Sequence, residues 1–210
     1  MTELIANILF IGKGILMTLQ LLFGGLIIGI CLAIIVTILR HKGLGILFLN
    51  IFVSMIRGTP LILQLSIIYF LFPSLFGIKL DMLTAGIVTF GVNSCAYVSE
   101  ILRAGIESLP QGQFEAARAL QIPTYYAWKD IILPQVIKNI LPAMINEIIT
   151  LLKETALIST IGGMDIMRLA QILAAQKFTY FMPLCIAGFY YYMLVLLIEF
   201  IGRKYGKTNV

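Results

Sequence analysis

The stretch GILMTLQLLFGGLIIGICLAIIVTIL, Gly14 to Leu39, contains no charged residue. As a helix it is long enough to cross roughly 30 Å of hydrocarbon. A bilayer offers no water to pair backbone N–H and C=O groups, so a crossing segment has to satisfy them internally, as a helix does. Phe178 to Ile198 is equally free of charge. The whole chain follows the same pattern: of its 210 residues, 60% are hydrophobic and 12% charged, with a mean hydropathy of +1.00. A soluble domain would carry about 25% charged residues. These features predict an all-α integral membrane protein, with residues 1–210 forming a single membrane domain.

The N-terminal run is read as a retained first helix. Lys13 is the one basic residue before it, the run exceeds the length of a signal-peptide core, and no small-x-small cleavage site follows. Cys31, Cys95 and Cys185 are scattered through apolar segments, which marks them as packing residues. His41, the single histidine, lies in a basic turn without a second ligand nearby. No metal site and no catalytic residue is implied.

Five hydrophobic spans are expected, at about 14–39, 48–72, 82–101, 138–160 and 182–202. With the N-terminus outside, the cytoplasmic segments would hold Arg40, Lys42, Arg103, Arg118, Lys129, Lys138, Arg203, Lys204 and Lys207. The external segments would hold Lys13, Lys79, Arg168 and Lys177. Nine basic residues against four favour a multi-pass protein of the bacterial cytoplasmic (inner) membrane, N-terminus outside and C-terminus inside. The net charge of +5 is thus a topology signal, and nucleic acid is not expected as a partner. Gly202 to Thr208 resembles a phosphate-binding loop at first sight. It has one residue too few between its glycines and follows a membrane helix, so it reads as a basic tail. No ATP or Mg site is therefore expected in this chain. An energy source would have to be a separate subunit.

Polar residues inside the spans are costly, on the order of 2.5–3.5 kcal/mol for a charge near the bilayer centre, and those that persist line cavities or pair with each other. In the second span Arg57-Gly58-Thr59-Pro60 interrupts an apolar run, with Gln64 one turn beyond. Pro60 removes a backbone donor there, and the freed groups require protein or water to satisfy them. In the third span Asn93, Tyr97 and Glu100 fall within about 60° of one another. In the fourth, Asn146, Glu147, Thr150, Lys153 and Glu154 fall within about 120°. Arg57, Gln64, Asn93, Tyr97, Glu100, Glu147, Thr150, Lys153 and Glu154 are the candidate lining of a path for a polar solute. For Lys153 and Glu154 the competing reading is a structural ion-pair network. Gly25-xxx-Gly29 in the first span would allow close helix packing.

Between the third and fourth spans lies a charged island, EAARALQIPTYYAWKDIILPQ, Glu115 to Gln135. Its first residues are strong helix formers, Pro123 stops that helix, and Leu133-Pro134 marks the return to the membrane. A well-formed polar helix in a membrane-protein loop suits a grip from outside the bilayer.

Three stretches carry a family resemblance: RGTPLILQL (Arg57–Leu65), CAYVSEILRAGIESLPQGQFEAARAL (Cys95–Leu120) and IILPQVIKNILPAMINEIITLLKETALIS (Ile131–Ser159). In order and spacing they resemble the permease subunits of type I ATP-binding-cassette importers for polar amino acids, the histidine/glutamine/arginine group. The resemblance implies five transmembrane helices with a cytoplasmic coupling helix between helices 3 and 4. It implies a second permease, identical or a sister chain, and a cytoplasmic ATPase subunit that binds ATP and Mg. An extracytoplasmic binding protein would deliver the amino acid. Gln113, Glu115, Ala116, Ala117, Leu120, Gln121, Leu133 and Pro134 would form the ATPase-coupling surface, with Glu115 accepting a charge-assisted hydrogen bond. The family usually has glycine at Gln121. Glutamine takes a left-handed cap only with strain, so Ile122-Pro123 is expected to end the helix instead. The substrate, basic or glutamine-like, is not readable, although Glu147 tilts the expectation towards a basic amino acid. The rival reading is a self-sufficient secondary transporter or channel in which Glu147, Lys153 and Glu154 relay protons.

Overall fold

The computed structural model describes residues 2–207, so Thr208 of the basic tail lies outside it. Among the described residues every regular element is helical: α1 (Thr2–Gly12), α2 (Ile15–His41), α3 (Ile46–Gly58), α4 (Leu61–Ser66), α5 (Phe72–Phe76), α6 (Met82–Glu107), α7 (Gln111–Ala119), α8 (Thr124–Tyr126), α9 (Leu133–Glu154), α10 (Ile166–Lys177) and α11 (Phe181–Lys207). A π turn, Ile67–Leu71, joins α4 to α5; another, Ala127–Ile132, joins α8 to α9; a 3₁₀ segment, Thr155–Ile161, extends α9.

Four stretches are long and apolar enough to cross a membrane: Glu3–His41, Met82–Glu107, Thr124–Ile161 and Phe181–Lys204. Ile46–Gly58 with Leu61–Phe76 makes a fifth if the two are taken together, but they meet at 103°. The span expected at 48–72 is therefore broken, at the Arg57-Gly58-Thr59-Pro60 interruption. The break has a local cause: Thr59 and Pro60 are both extended, with ψ of 144° and 134°, and a proline disfavours the helical conformation in the residue before it. The helices also run beyond the expected limits, because α1 precedes the first span and the fourth begins well before residue 138.

Both π turns end close before a proline, Pro73 and Pro134. A proline ring presses on the carbonyl four residues earlier, and one widened turn relieves that contact.

α6 is the most buried of the spans and α11 the least. α2 packs along α6 on small residues: a Cβ on Gly25 would stand 3.0 Å from the Phe90 side chain, and one on Gly29 2.8 Å from that of Ser94. The Gly25-xxx-Gly29 pattern is thus used for close approach. Lower on α6, Gly105 lies so close to Ile140 of α9 that a methyl group would collide with it. Leu21, Leu65, Phe90, Leu151 and Ile158 make the centre of the core. The outer wall is apolar and exposed, as at Leu47, Phe48 and Phe181, which is the surface a lipid-facing bundle presents.

Candidate functional site

The break at Pro60 has its own solvent. Pro60 cannot donate to the Ile56 carbonyl four residues back, and the Gln64 side chain does so instead: its Nε2 donates to Ile56 O at 2.8 Å, to Thr59 Oγ1 at 2.9 Å and to Thr59 O at 3.2 Å. Gln64 Oε1 in turn accepts from Asn93 Nδ2 at 3.4 Å. Both side chains are buried. Gln64 is therefore committed to the backbone of the bend, and Asn93 ties that bend to α6.

Next to Asn93, Ser94 Oγ donates to Glu147 Oε1 at 3.0 Å, linking α6 to α9. Glu147 is buried with 8% of its surface exposed, and no cation pairs with it among the described residues. The polar stripe of α9 divides here. Thr150 and Lys153 remain exposed, Glu154 is half-buried, and Glu147 turns inward. Neither Lys153 nor Glu154 forms an ion pair among the described residues, so the competing reading of a structural network is not met within this chain.

Glu100 has a different environment from the one its stripe suggested. Its carboxylate meets Arg40 Nη1 at 2.7 Å, Arg103 Nη2 at 2.8 Å and Arg57 Nη1 at 3.5 Å. Arg103 also reaches Glu107 at 2.6 Å, and the Arg57 guanidinium lies 5.4 Å from the centre of the Tyr97 ring. One carboxylate thus joins the ends of α2, α3 and α6. The stripe Asn93, Tyr97, Glu100 exists, but protein groups occupy it: Gln64 at its upper end and arginines at its lower end. Arg57, Tyr97 and Glu100 still border an open cavity of about 600 Å³ that reaches Asn139 on α9.

α7 is held against the feet of α6 and α9. Phe114 and Trp128 are partly buried against the cluster of Leu109, Ile132, Val136 and Ile140. Trp128 makes edge contacts with His41 at 5.1 Å and Phe114 at 6.3 Å between ring centres, and Asn139 Nδ2 donates to Ser108 Oγ at 3.0 Å. With that face turned inward, Gln113, Glu115, Ala116 and Leu120 are exposed, Leu120 at 73%. Leu133 and Pro134 are exposed as well. Ala117 departs from the expected surface. It is 6% exposed and packs within the chain, because residues 114 and 117 share one side of a helix.

The end of α7 also differs from expectation. Gln121 adopts φ 53°. Its N–H donates to Arg118 O at 2.9 Å and that of Ile122 to Ala117 O at 3.0 Å, the pair of bonds of a Schellman cap. Glutamine therefore takes the left-handed position, and Ile122-Pro123 follows the cap without replacing it. Two captured carbonyls and the half-burial of Ile122 offset the strain.

A buried acidic residue escaped the sequence reading, as did Ser94, the partner of Glu147. Asp165 is fully buried, caps α10 by accepting from Met167 N at 3.1 Å and Arg168 N at 2.9 Å, and receives the Tyr191 hydroxyl of α11 at 3.0 Å. The available signal was an aspartate directly before a helical run of apolar residues, Ile166, Leu169, Ala170 and Leu173. Asp81 caps α6 in the same way, accepting from Thr84 N at 3.1 Å. That residue lies outside the spans, and the bonds from Thr84 hold its carboxyl below the usual aspartate range.

An all-helical bundle with a buried polar seam, an open cavity along that seam and a polar helix displayed at one end has the build of a membrane permease subunit. The chain belongs to the family described as binding-protein-dependent transport system inner membrane component, which it matches over residues 5–207. The resemblance seen in the RGTP, EAA and LLK stretches is thereby borne out. Among its relatives, the putative glutamine transport system permease protein GlnP of Rickettsia felis is 50% identical, covering 97% of this chain and 94% of its own length. The arginine transport system permease protein ArtQ of Bacillus subtilis is 45% identical, covering 95% and 92%. A crystal structure of an amino acid ABC transporter with histidines superposes with a TM-score of 0.90 at 35% identity, over 99% of this chain and 97% of that one. The MetNI methionine ABC transporter, in an inward-facing form, shares the fold at TM-score 0.72 and 19% identity, over 99% and 96%.

Proposed function

We propose that this chain is one half of the translocation path of an ATP-driven importer for a polar amino acid. It acts as one membrane domain of five spans, the second of them broken, with the N-terminus outside and α7 and the C-terminus in the cytoplasm. A second copy or sister permease completes the path, and an extracytoplasmic binding protein supplies the amino acid. A separate cytoplasmic ATPase subunit binds ATP and Mg and grips α7. The observation that carries this reading is the division of α7 into two faces. Phe114 packs against the cluster of Leu109, Ile132, Val136 and Ile140 and Ala117 is buried on the same side, while Glu115, Ala116 and Leu120 stand free on the outer side. A helix locked to two membrane spans transmits a push on its outer face as a rigid-body motion of both.

The exposed Thr150 and Lys153 of α9 and the cavity beside Tyr97 support a polar path completed by a partner. The relatives named for glutamine and arginine transport support an amino acid as cargo. Glu147, buried with no cation beside it among the described residues, favours the rival reading of proton-coupled transport by this chain alone.

Glu115→Lys decides between the two. It reverses the charge on the outer face of α7 and leaves the inner face intact. Loss of ATP-dependent uptake, together with loss of ATPase co-purification and normal membrane insertion, is the expected result. Undiminished uptake, or uptake that follows an ion gradient in the absence of ATP, would remove the coupling role.

A further inference from the structure

The arginines around Glu100 outnumber the carboxylates that face them. A cavity of about 540 Å³ opens between α2, α3 and α6, bordered by Arg40, Arg57, Arg103 and Glu100 together with Asn50 and Ser54. Three guanidinium groups and one carboxylate border it, and with the Glu107 carboxylate that pairs with Arg103 the cluster keeps one positive charge. Glu107, the other partner of Arg103, borders a separate cavity. The Arg40 side chain is 12% exposed, and its Nε is buried with no hydrogen-bond partner among the described residues. Arg57 touches Glu100 loosely at 3.5 Å and keeps 43% of its side chain exposed. One excess positive charge, with Arg57 only loosely paired and the Arg40 Nε without a partner among the described residues, favours an anion in the space between the two arginines.

α3 adds a second, independent feature. Asn50, Ser54 and Arg57 recur at helical spacing along the cavity, while Leu47, Phe48, Ile51 and Met55 form an exposed apolar face on the same helix. α3 stands at 103° to the helix that follows it. A helix with a polar edge, a cationic end and an exposed apolar face is suited to the boundary between headgroups and acyl chains.

We propose that this cavity holds the phosphate of an anionic phospholipid from the leaflet at the Arg40 end of α2. The phosphate oxygens sit between Arg40 and Arg57, Asn50 and Ser54 contact the rest of the headgroup, and the acyl chains lie against Leu47, Phe48, Ile51 and Met55. Arginine suits this role through its planar fork, which matches two phosphate oxygens at once. The lipid would fasten α3 to α2 and α6. The proposal goes beyond transport and does not depend on which solute is carried.

Native mass spectrometry of the full chain in mild detergent, with phosphatidylglycerol, phosphatidylcholine or inorganic phosphate added separately, tests it. The expected result is one phosphatidylglycerol retained per chain under activation that strips phosphatidylcholine. Arg57→Gln should weaken that retention about tenfold, the worth of one hydrogen bond to a charged group, and Arg57→Lys should restore part of it. Ser54→Leu fills the cavity from an exposed position without altering a charge, and should give the same loss if Arg57→Gln disturbs the nearby bend. Equal retention of the two lipids, or full retention of phosphatidylglycerol by both Arg57→Gln and Ser54→Leu, would overturn the proposal. Binding of inorganic phosphate without any preference between the lipids would overturn the lipid assignment in favour of a soluble anion.

Discussion

Pro60 and Pro142 each interrupt an apolar helical run, and the backbone treats them differently. At Pro60 the chain leaves the helix, turns, and restarts at 103° to its former course. Pro142 is carried inside α9, which continues from Leu133 to Glu154. The ring and the missing N–H are the same at both sites, so the difference lies in the neighbours. Gly58 and Thr59 precede Pro60, and one turn later Gln64 donates to the carbonyls that the break exposes. Asn146 stands at the equivalent place one turn beyond Pro142, but it is exposed and makes no side-chain hydrogen bond to that turn among the described residues. At these two prolines the helix breaks where a side chain does take over the backbone's hydrogen bonding, and continues where none does.

Gln64→Leu should break that contrast and have the largest effect. It puts an apolar side chain of similar bulk in place of the amide, leaving Ile56 O and Thr59 O without a donor and Asn93 without its acceptor. An orphaned buried polar group costs about 1–3 kcal/mol; Asn93 is buried, while the Ile56 and Thr59 carbonyls lose a partly buried donor. Labelling of Cys95, which is buried at 2% exposure, reports the loss when followed against temperature with Cys31 and Cys185 replaced. An unchanged labelling midpoint would mean that water already serves those carbonyls.

Pro142→Ala sharpens the same contrast from the other side, with a smaller effect of opposite sign. Proline costs about 3 kcal/mol in the interior of a soluble helix, and neighbouring helices in a membrane absorb part of that. The variant should gain on the order of 1 kcal/mol in the same Cys95 assay. A loss of stability would show that α9 needs the proline for its course past α11.

These two sites also mark how far the sequence could be read. Uncharged runs gave the spans, because the cost of charge in hydrocarbon acts on each residue alone. RGTP signalled a break, because proline acts on its own backbone. The bend of 103° was not legible, since its direction depends on what α3 and α4 meet after they part. The same limit applies to Glu100. Its spacing with Asn93 and Tyr97 is a property of one helix, whereas its bond to Arg40 joins residues 60 positions apart. Glu147 illustrates it again: helical geometry put it in a stripe with Thr150 and Lys153, but packing against Ser94 chose which member of the stripe to bury. The existence of α7 was legible because its helix formers are local, while its end at the left-handed Gln121 and the inward turn of Ala117 were not.

Gln121→Gly carries the comparison to a third site where a local rule is overridden, with the smallest effect. Gln121 holds φ 53°, a conformation that costs a residue with a Cβ about 1–2 kcal/mol. Glycine removes that strain but enlarges the freedom of the unfolded chain, a cost of about 0.4–1 kcal/mol. The balance is a gain of a few tenths to about 1 kcal/mol, confined to the end of α7. Amide hydrogen exchange reads it directly, since the N–H groups of Gln121 and Ile122 close the cap on Arg118 O and Ala117 O, and both should exchange more slowly in the variant. Faster exchange would mean that the glutamine side chain steadies the cap by a contact that outweighs its strain. The cap would then resemble Pro60, where a glutamine side chain sustains a conformation that the backbone alone would not keep.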